Sequence, residues 1–192
     1  MIPDIVLAHY AERAYKQHTI KGDTTEVLIK RRGSAKIIAF RGSDTLDDVR
    51  VNLSFFPTYS RSCGFTHRGY LKAVRGIIFD VMSYIDKTEP VYIVGHSKGA
   101  AEGLILARKL QVAGFNVVKV LLIGSPKVCA FSTRAYRDLT IALYSNDGDA
   151  VDNLPPAPWW KHPREVIKLD AKGHSLRQSI KALAGARDGG SG

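Results

Sequence analysis

Hydrophobic positions along the chain fall into two kinds of run that alternate. Short, nearly continuous apolar stretches occur at 24–30 (TTEVLIK), 35–40 (AKIIAF), 91–94 (VYIV), 117–123 (VVKVLLI), 139–144 (LTIALY) and 165–169 (EVIKL). Several lack the apolar and polar alternation of a strand with one wet face, so they predict strands covered on both sides. Between them, apolar residues recur at helical spacing over about 3–16, 67–86, 97–113 and 174–185. In the second of these, Leu71, Val74, Ile78, Val81, Met82 and Ile85 make one stripe. Strands alternating with helices predict an α/β fold whose central sheet is mainly parallel, antiparallel near its beginning, and flanked by helices on both faces.

Composition refines this picture in five ways. With 192 residues and 45% apolar side chains the chain can build one sizeable core, which predicts a single domain over 1–184. The last eight residues, GARDGGSG, are expected to form a flexible tail over 185–192. No apolar run approaches the roughly 18 residues of a membrane span. The start, MIPDIVLAHY, carries Asp4 and no basic stretch ahead of an apolar one, so no secretory signal is expected and a cytoplasmic location is the default. Cys63 and Cys129 are too few for a disulfide scaffold and lack metal-ligand spacing, which predicts reduced, buried thiols and no metal site.

Charge is the unusual quantity: 28 basic against 18 acidic side chains give +10. Such a surface favours anionic partners, phospholipid headgroups among them. The densest cluster, Lys30-Arg31-Arg32, stands beside a turn at Gly33 without any nucleic-acid motif, so no specific nucleic-acid binding is expected.

The sharpest local feature is VYIVGHSKGAAEGL, which sets G-x-S-x-G between a predicted strand and a predicted helix. Glycines at 95 and 99 let strand and helix approach closely while the turn lifts Ser97 out as a nucleophile. His96, inside the motif, should point away from Ser97 and is read as packing. An alcohol needs a base within hydrogen-bond reach and an acid to orient that base. The loop SNDGDAVDNLPP offers Asp147, Asp149 and Asp152 as acids, and spacing does not choose among them. For the base, His174 in DAKGHSL follows the last strand, whereas His162 precedes it and is expected nearer the opposite edge; His9, His18 and His67 come before the nucleophile.

Four collinear segments resemble the class 3 lipases of the α/β-hydrolase fold: FRGSDTLDDVRVNL from Phe40, HRGY from His67, GHSKGA from Gly95, and GSPKV followed by DAVDNLPP. The resemblance spans about 36–175 and implies a serine-dependent carboxylic ester hydrolase with no cofactor, acting on lipid-like or other acyl esters. It places the family's acid on Asp149 and its base on His174. It assigns the oxyanion donors to Ser43, after F-R-G, and to the backbone N–H of Lys98. It also implies a lid: Thr45 and Asp48 form a helix start signal, and Leu46, Val49, Leu53 and Phe56 lie close to one helical stripe. A lysine after the nucleophile departs from the usual apolar residue and suggests substrates bearing a negative group. The short chain leaves fewer loops for a deep acyl pocket. Two further functions use the same features: an acyltransferase with the same three residues, and a non-catalytic protein binding an acidic partner.

Overall fold

The computed structural model describes residues 1–43, 56–156 and 158–188. Its large sheet is built from β1 (Ile20–Lys21), β2 (Glu26–Arg32), β3 (Ala35–Phe40), β6 (Val91–His96), β7 (Val117–Ile123), β9 (Ile141–Asp147) and β11 (Ile167–Lys172), neighbours in that order. β1, β2 and β3 pair antiparallel, and every pairing from β3 to β11 is parallel. The mainly parallel sheet with an antiparallel beginning is therefore present. A smaller sheet joins β10 (Trp160–Lys161), β8 (Cys129–Ala130), β5 (Gly64–His67) and β4 (Pro57–Ser60), in that order. Its strands are two to four residues long and partly polar, so neither periodicity nor apolar length announces them.

Helices α1 (Asp4–Ala14), α2 (Arg68–Ser83), α3 (Lys98–Val112) and α4 (Leu176–Asp188) occupy the predicted places. α4 runs four residues beyond the boundary expected at 184. Two cores form on the two faces of the sheet. On one, α2 and α3 bring Val74, Ile77 and Leu104 onto Phe40 and Ile93; on the other, α1 and α4 bring Leu7, Ala11 and Ile180 onto Ile37, Val94 and Ile123. Each of these side chains larger than alanine contributes roughly 1.5–3 kcal/mol when fully buried. The continuous apolar strands follow from this double coverage, since alternate residues of β6 face different cores. In α2 it is Ile77, rather than Ile78, that is fully buried, and Ile78 packs at the edge of the core. α3 is buried from Gly99 to Ala107, which is why its sequence is small and apolar nearly all round. Cys63 and Cys129 are free and buried. Among the described residues no helix is long and apolar enough to cross a membrane.

Candidate active site

All parallel strands point one way, so the loops after β6, β7, β9 and β11 gather at one edge of the sheet. Between the end of β6 and the start of α3 lies a single residue, Ser97, with φ 55° and ψ −130°. A non-glycine residue in that region costs about 1–3 kcal/mol and persists only where its surroundings fix it. Close packing does the fixing. A Cβ on Gly95 would sit 2.3 Å from the Gly99 carbonyl oxygen, and one on Gly99 would sit 2.4 Å from that of Arg41. The Ser97 N–H donates to the Ile123 carbonyl at 2.9 Å. Its Oγ is buried without a hydrogen-bond partner among the described residues.

His174 lies between β11 and α4, and its Nδ1 donates to Asp149 Oδ2 at 2.8 Å. The other carboxylate oxygen of Asp149 accepts from the Val151 N–H at 2.9 Å. A carboxylate can only accept, so Nδ1 carries the proton and Nε2 is left with its lone pair. That Nε2, like Ser97 Oγ, is buried without a partner among the described residues. Asn146 steadies the His174 loop, donating from Nδ2 to the carbonyls of Gly173 (2.8 Å) and Ser175 (3.2 Å) and accepting from Ser179 Oγ (2.8 Å). At the end of β7, Gly124 has φ +55°; a Cβ there would lie 2.9 Å from His174 Cε1 and 3.0 Å from Asp149 Oδ2. Backbone, with no side chain, therefore forms one wall of the pair.

The other acids and the rival histidine are occupied elsewhere. Asp152 is buried and accepts from Ser145 Oγ at 2.9 Å and Lys168 Nζ at 2.6 Å. Asp147 is exposed and offers its carbonyl to the Gly173 N–H at 3.0 Å. His162 Nε2 donates to the Asp152 carbonyl at 2.7 Å, and burial holds its pKa low.

His96 packs, as its sequence context suggests, but on an unexpected surface. Its ring stacks on that of His174 with centroids 4.6 Å apart and planes 25° apart. Its Nδ1 is 2.7 Å from the hydroxyl of Tyr15, a residue just beyond α1 with no motif to mark it. Burial first, and His174 second, push the His96 pKa down to about 3, so the ring is neutral and puts no positive charge beneath His174. Tyr15, Gly124 and Asn146 are the parts of the site that sequence reasoning missed. Gly124 and Asn146 stood within quoted segments and Tyr15 in none, but the role of each depends on neighbours brought from distant parts of the chain.

Ser43 and Lys98 meet at a cavity of about 330 Å³, shared with Lys21, Thr24, Glu26 and Arg41. Lys98 is the first residue of α3, so its backbone N–H has no acceptor within the helix. The ammonium group of Lys98 corrects the expectation of a free cation for an anionic substrate. It donates to the Thr24 carbonyl and lies 3.6 Å from the carboxylate of buried Glu102, one helical turn on. Burial raises the Glu102 pKa to about 7 against the opposing pull of Lys98. Of the lid stripe, Leu46, Val49 and Leu53 lie outside the described residues, and Phe56 is 72% exposed.

Solved structures of known proteins share this fold. The Rhizomucor miehei triacylglyceride lipase superposes with TM-score 0.72 at 19% identity, covering 86% of this chain and 77% of that one. Lipase II from Rhizopus niveus gives 0.71 at 18%, covering 83% and 66%. A propeptide complex of a deletion mutant of the R. miehei lipase gives 0.66 at 22% over 76% of this chain, which spans about half (51%) of that longer polypeptide. At these identities the likeness is one of fold, the α/β-hydrolase fold, and no curated protein sequence matches. The sequence model described as lipase (class 3) matches residues 37–159, from β3 through the elbow to the loop after Asp149. Covering well over half of the chain, that match shows that it belongs to the class 3 lipase family.

Proposed function

We propose that this protein is a serine carboxylic ester hydrolase, a lipase or esterase, with Ser97 as nucleophile, His174 as base and Asp149 as its orienting acid. The observation that carries the reading is a pair of buried, unpartnered atoms at one sheet edge, Ser97 Oγ and His174 Nε2, the latter on a ring already fixed by Asp149. Other buried polar atoms among the described residues also lack partners, Thr25 Oγ1 and Tyr136 Oη among them; what marks this pair is its chemistry, a hydroxyl and an imidazole nitrogen on a ring already oriented by a carboxylate, which a substrate between them would complete.

In the reaction, Nε2 takes the hydroxyl proton as Oγ bonds to the acyl carbon, and the carbonyl electron pair moves to oxygen. The backbone N–H groups of Ser43 and Lys98 stabilise that oxyanion. The imidazolium returns its proton to the leaving alcohol as the carbon–oxygen bond breaks. Water, deprotonated by Nε2, then attacks the acyl-enzyme, and the acid departs with Ser97 restored. Asp149 holds the tautomer throughout, and the neutral His96 ring keeps a competing cation away from the imidazolium. The net charge of +10 supports an anionic lipid interface as the place where the substrate is met.

Turnover of p-nitrophenyl esters from acetate to palmitate tests this. Ser97→Ala and His174→Ala are expected to lower kcat/KM on the order of 10⁴-fold or more, and the preferred chain length reports the acyl pocket. Equal inactivity of all three proteins, with no labelling of Ser97 by a fluorophosphonate, would replace the hydrolase with the binding-protein reading.

A further inference from the structure

The second sheet carries a surface that the ester chemistry does not use. On it Tyr59, Phe65 and Phe131 are 63%, 46% and 53% exposed. They are not scattered. The Phe65 ring meets Tyr59 edge to face at 5.4 Å and Phe131 at 5.5 Å, so the three form one exposed aromatic cluster. Phe131 is held outward by an unusual backbone, φ 65° in a residue with a side chain, and its N–H bonds the carbonyl of Trp159, itself 45% exposed. A bulky residue in that conformation is uncommon and strained.

Beside the cluster opens a hollow of about 490 Å³ lined by Arg61, Arg108, Arg134 and Arg137, with Asp138 its single acid. Arg108 forms a wall, since it bonds the Ser62 carbonyl at 3.1 Å and Gln111 at 2.7 Å. Arg61, Arg134 and Arg137 make no ion pair with any described residue. Rings exposed next to unpaired guanidinium groups match a lipid–water interface, where aromatic side chains settle at headgroup depth and basic ones bind phosphate. A nucleic-acid strand instead needs free ring faces spaced along a basic track; here the rings cover one another edge to face and the arginines surround one hollow.

We infer that the face formed by Tyr59, Phe65 and Phe131 with Arg61, Arg134 and Arg137 is a docking surface for an anionic phospholipid bilayer. This deepens the reading of the protein as one that acts at lipid surfaces, and it assigns the docking to residues outside the active site and outside the lid stripe. The aromatic end of this face approaches the active-site edge, and its arginines extend beside Arg108 and Gln111 in the second half of α3, away from Ser97. Because α2 returns the chain to the amino edge of the parallel β6, its first turn lies at the carboxyl edge that holds Ser97. β5, which carries Phe65, runs directly into that turn.

Binding is measured by vesicle flotation with full-length protein carrying Ser97→Ala, so that no lipid is consumed and docking is read apart from turnover. The vesicles are equimolar phosphatidylglycerol and phosphatidylcholine, or phosphatidylcholine alone. The expected result is binding to the anionic vesicles only, weakened at least about tenfold by Arg61→Gln/Arg134→Gln/Arg137→Gln and by Tyr59→Thr/Phe65→Thr. A control that removes three charges elsewhere, Lys16→Gln/Lys30→Gln/Arg32→Gln, should weaken it less than about threefold. In the Ser97-intact protein the same surface variants should leave turnover of soluble p-nitrophenyl butyrate unchanged, which also shows them folded. The proposal is overturned if the control weakens binding as much as the arginine variant. It is equally overturned if the protein ignores anionic vesicles, or if it binds single-stranded DNA through these arginines and vesicles not at all.

Discussion

At the carboxyl edge of the large sheet, polar groups are packed in and bonded in chains: the Val151 backbone N–H to Asp149 to His174, with His96 stacked on His174 and hydrogen-bonded to Tyr15. At the small sheet the arrangement is reversed, with aromatic rings exposed and neighbouring arginines that make no ion pair with any described residue. The difference shows how one fold divides labour. Proton transfer needs groups whose positions and charges are settled before substrate arrives, so it sits where side chains are packed in and hydrogen-bonded. Docking on a fluid surface needs exposed groups whose energy improves only on contact, and it sits where packing ends.

The comparison breaks most visibly if the inner region tolerates disturbance. Gly124→Ala forces a Cβ to within 3.0 Å of Asp149 Oδ2 and 2.9 Å of His174 Cε1, at a φ of +55°. It is expected to separate the pair and lower kcat/KM on the order of 10³-fold, with a lower Tm, as read by ester turnover and thermal melting. An active, stable Gly124→Ala would show that the site is not fixed from below by backbone.

A smaller effect sharpens the role of the stacked rings. His96→Ala removes the surface beneath His174, and kcat is expected to fall about 10- to 100-fold with KM little changed, since the loss is one of positioning. His96→Phe, which keeps a neutral ring but loses the Tyr15 hydrogen bond, should recover most of that loss. If both variants matched the parent, His96 would be packing alone.

The smallest effect concerns stability against pH. Glu102 keeps its proton to about pH 7 in the folded chain, while the unfolded chain ionises near its ordinary value of 4.5. Through that window the folded state binds more protons, so this group lowers stability as pH rises from about 4.5 to 7. Glu102→Gln should flatten that fall, by about 2 kcal/mol between its ends, in urea melts at several pH values. The buried histidines act oppositely. His96 at about 3 and His67 at about 4 stay neutral when folded, so their contribution is lost as pH drops below about 6.5. A parent protein whose melts showed no acid-side loss would contradict the burial of both rings.

Much of this was legible without coordinates, and for identifiable reasons. The apolar runs at 35–40, 91–94 and 117–123 read as buried strands because both faces of β3, β6 and β7 are covered. G-x-S-x-G announced the elbow because its glycines answer a local need, the 2.3 Å approach that any Cβ would make. Spacing could not choose among Asp147, Asp149 and Asp152, because all three sit in one polar loop; only the direction of each side chain separates them. The lysine at 98 misled for the same reason. Its place beside Ser97 is a matter of sequence, but Thr24 and Glu102 hold its ammonium group.

The sequence by itself determined the order of the longer strands and the helices, the nucleophile's turn and the family, because each is encoded over a few neighbouring residues. Only the tertiary structure decided that Asp149 meets His174 across 25 residues, and that Tyr15 reaches His96 across 81. It also gathered Phe65 and Phe131, from separate strands and loops, into one exposed cluster. Such contacts are set by how elements pack, and no local pattern of polar and apolar positions records which distant side chain will stand opposite.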